Sequence, residues 1–136
     1  MDYPLPRFME EKEESITESI CHYLHFKGGL VVRIAPSGFF KNGRMLKHKS
    51  KFIRRGVPDI LYWHNGKSYA FEVKKPIEHR YILKHGERIM ATPRMNLNKK
   101  QIHIREQILI VRELVKQGAI ASFVSSIDDV KKLIEK

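Results

Sequence analysis

Apolar residues recur along the chain with two different periods. Ile16, Ile20 and Leu24 repeat every fourth residue, the spacing of one helix face, in a pattern that turns helical from Glu10 and stops at Gly28-Gly29. Leu30 to Ile34 is a β-branched run that predicts a core strand. Ile60 to Trp63 and Ala70 to Val73 flank Asn65-Gly66, a dipeptide suited to a two-residue type I′ turn because both central residues there need positive φ. Ile104, Ile108, Val111 and Val115 form a second helical stripe, with Asn98 and Gln101 as a capping box before it and Gly118 as its stop. Ala119 to Val124 predicts a buried strand, and Ser126 with Asp129 caps a last short helix carrying Val130, Leu133 and Ile134. The order predicts an α/β fold, a mixed central β-sheet flanked by helices.

The hairpin also predicts a register. With Asn65 and Gly66 as the turn, His64 faces Lys67, Tyr62 faces Tyr69, and the ladder run back sets Asp59 opposite Glu72. Directly opposed residues have Cβ atoms about 4.5–5.5 Å apart, and like charges there destabilise a sheet. Lys74 returns to the face of Glu72, while Phe71 and Val73 turn toward a core. One or two carboxylates with phosphate and water are what a hard cation such as Mg²⁺ takes as ligands, and Lys74 could orient an attacking water. The plainer reading is a solvated strand face whose acids pair with lysines.

Composition narrows the partner. At 136 residues the chain fits one domain spanning 1–136, with 1–9 as a short leader and 77–95, which shows no clean period, as an insertion. Lys plus Arg number 26 against 15 acids, a net charge of +11, which favours an anionic polymer. From Lys41 to Arg55 there are Lys41, Arg44, Lys47, Lys49, Lys51, Arg54 and Arg55, with His48 and no acid, and these are the candidate nucleic-acid contacts. Ser37-Gly38 and Asn42-Gly43 mark turns there, so a loop or short irregular ribbon is expected. Phe39 and Phe40 are open between base stacking and core, and Phe52 is assigned to the core. In 77–95, Arg80, Lys84, His85, Arg88 and Arg94 fit a substrate-gripping flap as well as a surface excursion or dimer contact. Cys21 stands alone, which excludes a disulfide framework and a cysteine zinc site and suits a reducing cytoplasm. No run approaches membrane-spanning length, and no signal-peptide pattern opens the chain.

One acid is out of place. At 100° per residue Glu13 falls inside the stripe of Ile16, Ile20 and Leu24, whereas Glu14 and Glu18 lie roughly 100° and 140° from it. A carboxylate on the core side of a helix is costly without a partner, and a cation held by Asp59 and Glu72 would supply one. Favourable charge near a helix N-terminus explains the cluster Glu10, Glu11, Glu13 and Glu14, but not that azimuth.

Gly56-Val57-Pro58-Asp59 followed by Glu72-Val73-Lys74 resembles the PD-(D/E)XK nuclease signature in the form found in the VRR-NUC (virus-type replication-repair nuclease) family. That family is similar also in an acid ahead of an Ile-x-x-x-Ile-x-x-x-Leu stripe, where Glu13 matches and Glu14 is the reserve. It is similar again in a glutamine at the start of the next helix, where Gln101 matches; simple capping explains Gln101 equally well. The chain departs from the family at Thr17, where relatives carry Gln or Glu, and in the long connection 77–95.

The resemblance implies a restriction-endonuclease-like core and hydrolysis of a phosphodiester with Mg²⁺ or Mn²⁺. It makes Asp59, Glu72, Lys74, Glu13 and Gln101 the catalytic set, with Asp59, Glu72, the Val73 carbonyl and Glu13 as metal ligands. It implies a DNA substrate, branched or junction DNA in replication, repair or recombination, a homodimer, and the cytoplasm, that of the host for a viral protein. The alternative is a catalytically silent nucleic-acid-binding module. A third, an assembly protein with a basic surface, would make the carboxylate pair an accident.

Overall fold

The computed structural model describes residues 12–34, 39–41, 44–46, 51–52 and 54–136. The leader 1–9, the residues Glu10 and Glu11, both turn dipeptides before residue 44, and Lys47, His48 and Lys49 lie outside the described residues.

α1 (Glu13–Lys27) buries Ile16, Ile20 and Leu24 as its spacing requires, together with Thr17, whose hydroxyl donates to the Glu13 carbonyl at 2.8 Å. Gly29, at φ +103°, follows the helix, and a Cβ there would lie 2.4 Å from the Trp63 carbonyl oxygen. A glycine is needed for the chain to turn back this close to the hairpin. Next come β1 (Leu30–Arg33), β2 (Phe39–Lys41), β3 (Arg44–Leu46), β4 (Ile60–His64) and β5 (Lys67–Val73). α2 (Pro76–Ala91), a 3₁₀ turn at Arg94–Asn96, α3 (Lys99–Lys116), β6 (Ile120–Val124) and α4 (Ile127–Ile134) complete the order.

The main sheet runs β1-β4-β5-β6. Its first three strands are antiparallel neighbours and β6 lies parallel to β5, so the sheet is mixed and the chain is α/β. The predicted hairpin register holds from His64↔Lys67 through Tyr62↔Tyr69 to Ile60↔Phe71, with Asn65 and Gly66 both at positive φ. Among the described residues β2 and β3 pair only with each other, an antiparallel ribbon in the basic stretch.

Helices cover both faces. Ile60, Tyr62, Tyr69, Phe71, Val73 and Val124 pack with the stripe of α1 and with Val130 of α4. On the other side Ile82 and Ile89 of α2 pack with Ile104 and Ile108 of α3, against Phe123. α3 begins and ends as read. The Asn98 side chain accepts from Gln101 N at 2.8 Å, and the Gln101 side chain accepts from Asn98 N at 3.0 Å. At its end Gly118 N bonds Val115 O and Ala119 N bonds Leu114 O, the Schellman pair. Ser126 caps α4 by accepting from Asp129 N.

Five expectations change. The run Ala119 to Val124, expected as a buried strand, is the edge strand β6, half-buried until Val124, because only β5 lies beside it among the described residues. Residues 77–95 are no flap or irregular excursion over most of their length but the body of α2, with Pro76 at its first turn. Its apolar stripe is Ile82, Gly86 and Ile89, and it escapes notice because the middle position is a glycine that packs close to Ile108. Leu30 to Ile34 is an edge strand, with Leu30 exposed, because β1 has only β4 beside it. Phe52 is 76% exposed instead of core, with the Lys51 ammonium 5.2 Å from its ring centre. Val115, placed on the buried stripe of α3, is exposed, and the residues that α3 buries, Ile104, Gln107 and Ile108, all lie in its first ten positions.

Candidate active site

Asp59 sits at the entry to β4, where the ladder is still closing. Its carbonyl accepts from Ile34 N at 2.8 Å, and its carboxylate Oδ2 accepts from Val73 N at 2.8 Å. The Asp59 side chain is thereby pinned across the hairpin beside Glu72, one rung past the last paired residues. The corner before it is held by close packing. Pro58 is fully buried, and a Cβ on Gly56, at φ +79°, would fall 2.8 Å from the Glu106 carbonyl carbon of α3. Glycine here lets the corner lie directly on the α3 backbone.

Glu72 and Lys74 alternate with Phe71 and Val73, so they face α3. A solvated strand face is not what results. β5 is a central strand covered on both sides, and Glu72 is 3% and Lys74 7% exposed. Glu72 Oε1 accepts from Gln107 Nε2 at 2.7 Å, while Glu72 Oε2 and Gln107 Oε1 are buried without hydrogen-bond partners. Burial, and then the neighbouring Asp59 carboxylate, push the Glu72 carboxyl up to about 9, with Lys74 acting the other way. A buried carboxylate with one empty oxygen beside a second acid is expensive for a fold and well suited to a cation.

Glu13 opens α1 at the same end of the sheet. Its carboxyl is raised above the ordinary range by partial burial, with Lys74 opposing the rise and Asp59 and Glu78 adding to it. Glu14 is turned away. It pairs with the Arg33 guanidinium on the surface, and that hydrogen bond holds its carboxyl below the ordinary range. Of the two helix-one acids, Glu13 is therefore the one within electrostatic reach of Asp59 and Lys74.

The other sequence candidates divide. Gln101 has its backbone and side chain in the capping box, and its amide nitrogen reaches only Tyr81 Oη, at 3.4 Å. The glutamine that touches the carboxylate pair is Gln107, which sequence reasoning passed over. Its signal was available, since Gln107 lies within roughly 60° of Ile104 and 40° of Val111 on the apolar stripe of α3. Lys51, Arg54 and Arg55 are exposed on the approach to Gly56, and Lys41 and Arg44 pair across the β2–β3 ribbon.

Among the described residues, no three His, Cys, Asp or Glu side chains converge closely enough to hold a metal ion by themselves. The site offers two carboxylates, the main chain of Val73 between them, and a lysine. Mg²⁺ keeps several waters and takes one or two carboxylates, so the donor set matches that habit. The arrangement defines an α/β protein with a buried glutamate and lysine beside a half-buried aspartate at one end of its sheet. Comparison with protein-family models, with curated proteins and with solved structures gives no match. Among the described residues no helix is long and apolar enough to cross a membrane.

Proposed function

We propose that the chain is a metal-dependent deoxyribonuclease that hydrolyses phosphodiester bonds, of the kind its Gly-x-Pro-Asp and Glu-x-Lys residues resemble. The observation that carries this reading is Glu72. A nearly inaccessible carboxyl with an unpartnered oxygen, beside Asp59 and Lys74, adds nothing to the fold that an apolar residue would not supply better. Asp59 and Glu72 would hold Mg²⁺ or Mn²⁺ with the Val73 carbonyl, and Glu13 would act from the edge, directly or through water. The bound cation would polarise the phosphodiester and offset charge on the leaving oxygen.

The chain's own residues carry the rest. Gln107 holds Glu72 in place through its amide hydrogen, and Val73 N–H holds Asp59. Lys74, shielded from water, positions the nucleophile and stabilises charge developing on the phosphate oxygens. The basic run leading to Gly56 draws in the DNA backbone without reading sequence. The finer reading is branched or junction DNA, cut by a homodimer in the cytoplasm.

The test is cleavage of labelled duplex, flap, fork and four-way-junction DNA in Mg²⁺, Mn²⁺ or EDTA, with Glu72→Gln alongside and Mn²⁺ binding measured calorimetrically on both proteins. Metal-dependent cuts, lost with Mn²⁺ binding in Glu72→Gln, are expected. Tight, salt-sensitive DNA binding with no cleavage in either metal would replace the nuclease by a silent binding module.

A further inference from the structure

Between the first turns of α2 and α3 lies an open cavity of about 260 Å³, whose Ile77 follows Lys74 by one helical turn of sequence and whose Ile104 precedes Gln107, the partner of Glu72, by another. Ile77 and Ile104 form its apolar part, Tyr81 its aromatic wall, and Glu78, Lys100 and Gln101 its polar rim. The Tyr81 ring packs against His85, 4.8 Å away between ring centres and tilted by 48°, and His85 is not among the residues lining the cavity. Glu78 lies four residues past Lys74, on the first turn of α2, and so ties the cavity to the end of β5 that carries Glu72.

Drug-sized ligands occupy pockets of roughly 300–1,000 Å³, so this cavity suits a single flat ring system. Three of its features belong together in one kind of ligand. An aromatic ring stacks on any base, amide and carboxylate groups bond a base edge, and Lys100 at the mouth meets a phosphate. In an intact duplex the base faces are stacked and the Watson–Crick edges are paired, so no base is free to enter. The charge of the chain, +11, selects the same partner.

We infer that the cavity receives one unpaired base of the DNA strand whose phosphate lies at Asp59 and Glu72, so the substrate carries a single-stranded segment at the cut. This rests on the nuclease reading and names its substrate class. The base stacks on Tyr81 and its edge faces Gln101 and Glu78. The capping box has a second use here, because it fixes Gln101 at the rim.

The experiment measures binding in EDTA, without turnover, of forked DNA in which an abasic residue replaces each of the first few unpaired nucleotides in turn. At one position the abasic residue should weaken binding to the unmodified protein by roughly 5- to 100-fold. Tyr81→Leu should weaken binding of the intact fork equally and abolish the abasic penalty, Tyr81→Phe should retain both, and blunt duplex should be unaffected. Because the abasic residue alters the DNA, poor folding of Tyr81→Leu leaves the central measurement intact. Equal binding of intact and abasic forks at every position, or a penalty that persists in a folded Tyr81→Leu, overturns the inference. Cleavage without an abasic penalty removes the cavity and spares the nuclease; a Tyr81-dependent penalty without cleavage in any metal does the reverse.

Discussion

Glu72→Gln is expected to stabilise the metal-free protein, and the pH dependence of that gain is the sharpest check on the site. The folded chain raises this carboxyl from 4.5 to about 9, chiefly by burial and then by Asp59. An acid raised in the fold contributes its full stability below its unfolded value and loses it as pH climbs to the folded one. Between those limits the folded form keeps the proton that the unfolded chain releases, so stability falls by about 1.4 kcal/mol per pH unit. At pH 7 that amounts to about 3 kcal/mol, which in a domain of this size lowers the melting temperature by roughly 10 °C. Gln keeps the shape, still accepts from Gln107 Nε2, and has no proton to lose. Thermal melts of both proteins in EDTA should nearly coincide at pH 5 and separate steadily toward pH 9. Saturating Mn²⁺ should narrow the gap, because it stabilises only the protein that binds it. Parallel pH profiles, with Glu72→Gln no more stable at pH 8, would mean that Glu72 is ionised and neutralised by Lys74 without metal, and the reasoning from its burial would fail.

Gln107→Leu removes the donor to Glu72 Oε1 together with an orphaned acceptor, so stability should change by no more than about 2 kcal/mol while turnover falls roughly 10- to 100-fold. Unchanged turnover would reduce Gln107 to packing. Glu13→Gln should weaken Mn²⁺ binding and cleavage together in titration and gel assays, whereas Glu14→Gln, which breaks only a surface pair with Arg33, should leave both near the unsubstituted protein. Gly56→Ala forces a Cβ into the α3 backbone at positive φ and should cost about 2–4 kcal/mol by urea titration, with a loss of metal binding as the Asp59 corner moves. Asn98→Ala, which opens the capping box, should cost about 1 kcal/mol in the same titration.

What could be read from the chain was whatever a local rule decides. Asn-Gly dictates one turn and therefore one register, and Asn98 with Gln101 dictates one helix start, so the approach of Asp59 to Glu72 was legible before any tertiary contact was known. Burial by distant elements was not legible. Leu30 and Phe52 look like core residues, but one stands on an edge strand and the other is exposed. The helix α2 was hidden for a different reason, since Gly86 stands where its stripe calls for an apolar side chain. A helix whose neighbour presses against it can bury a face without showing one in the sequence.

Glu13 and Gln107 are placed alike in the fold. Both are polar residues at apolar azimuths of otherwise ordinary amphipathic helices, one packed on each side of the sheet. Burying either is unfavourable unless it meets a partner, and both lead to the same place. Gln107 bonds Glu72 directly, and Glu13 comes within electrostatic reach of Asp59 and Lys74. Two such coincidences on independent helices are hard to attribute to solvation, because neither residue is fully exposed and neither completes the hydrogen bonding of the group it approaches. Glu72 Oε2 still lacks a partner after Gln107 has bonded Oε1, and Glu13 adds negative charge where Asp59 already repels Glu72. An arrangement that grows less stable with each acid added is what the proposed cation would relieve. That makes the Asp59–Glu72 pair, which without a cation must hold a proton at neutral pH, a firmer ground for the proposed divalent cation than the sequence motif alone.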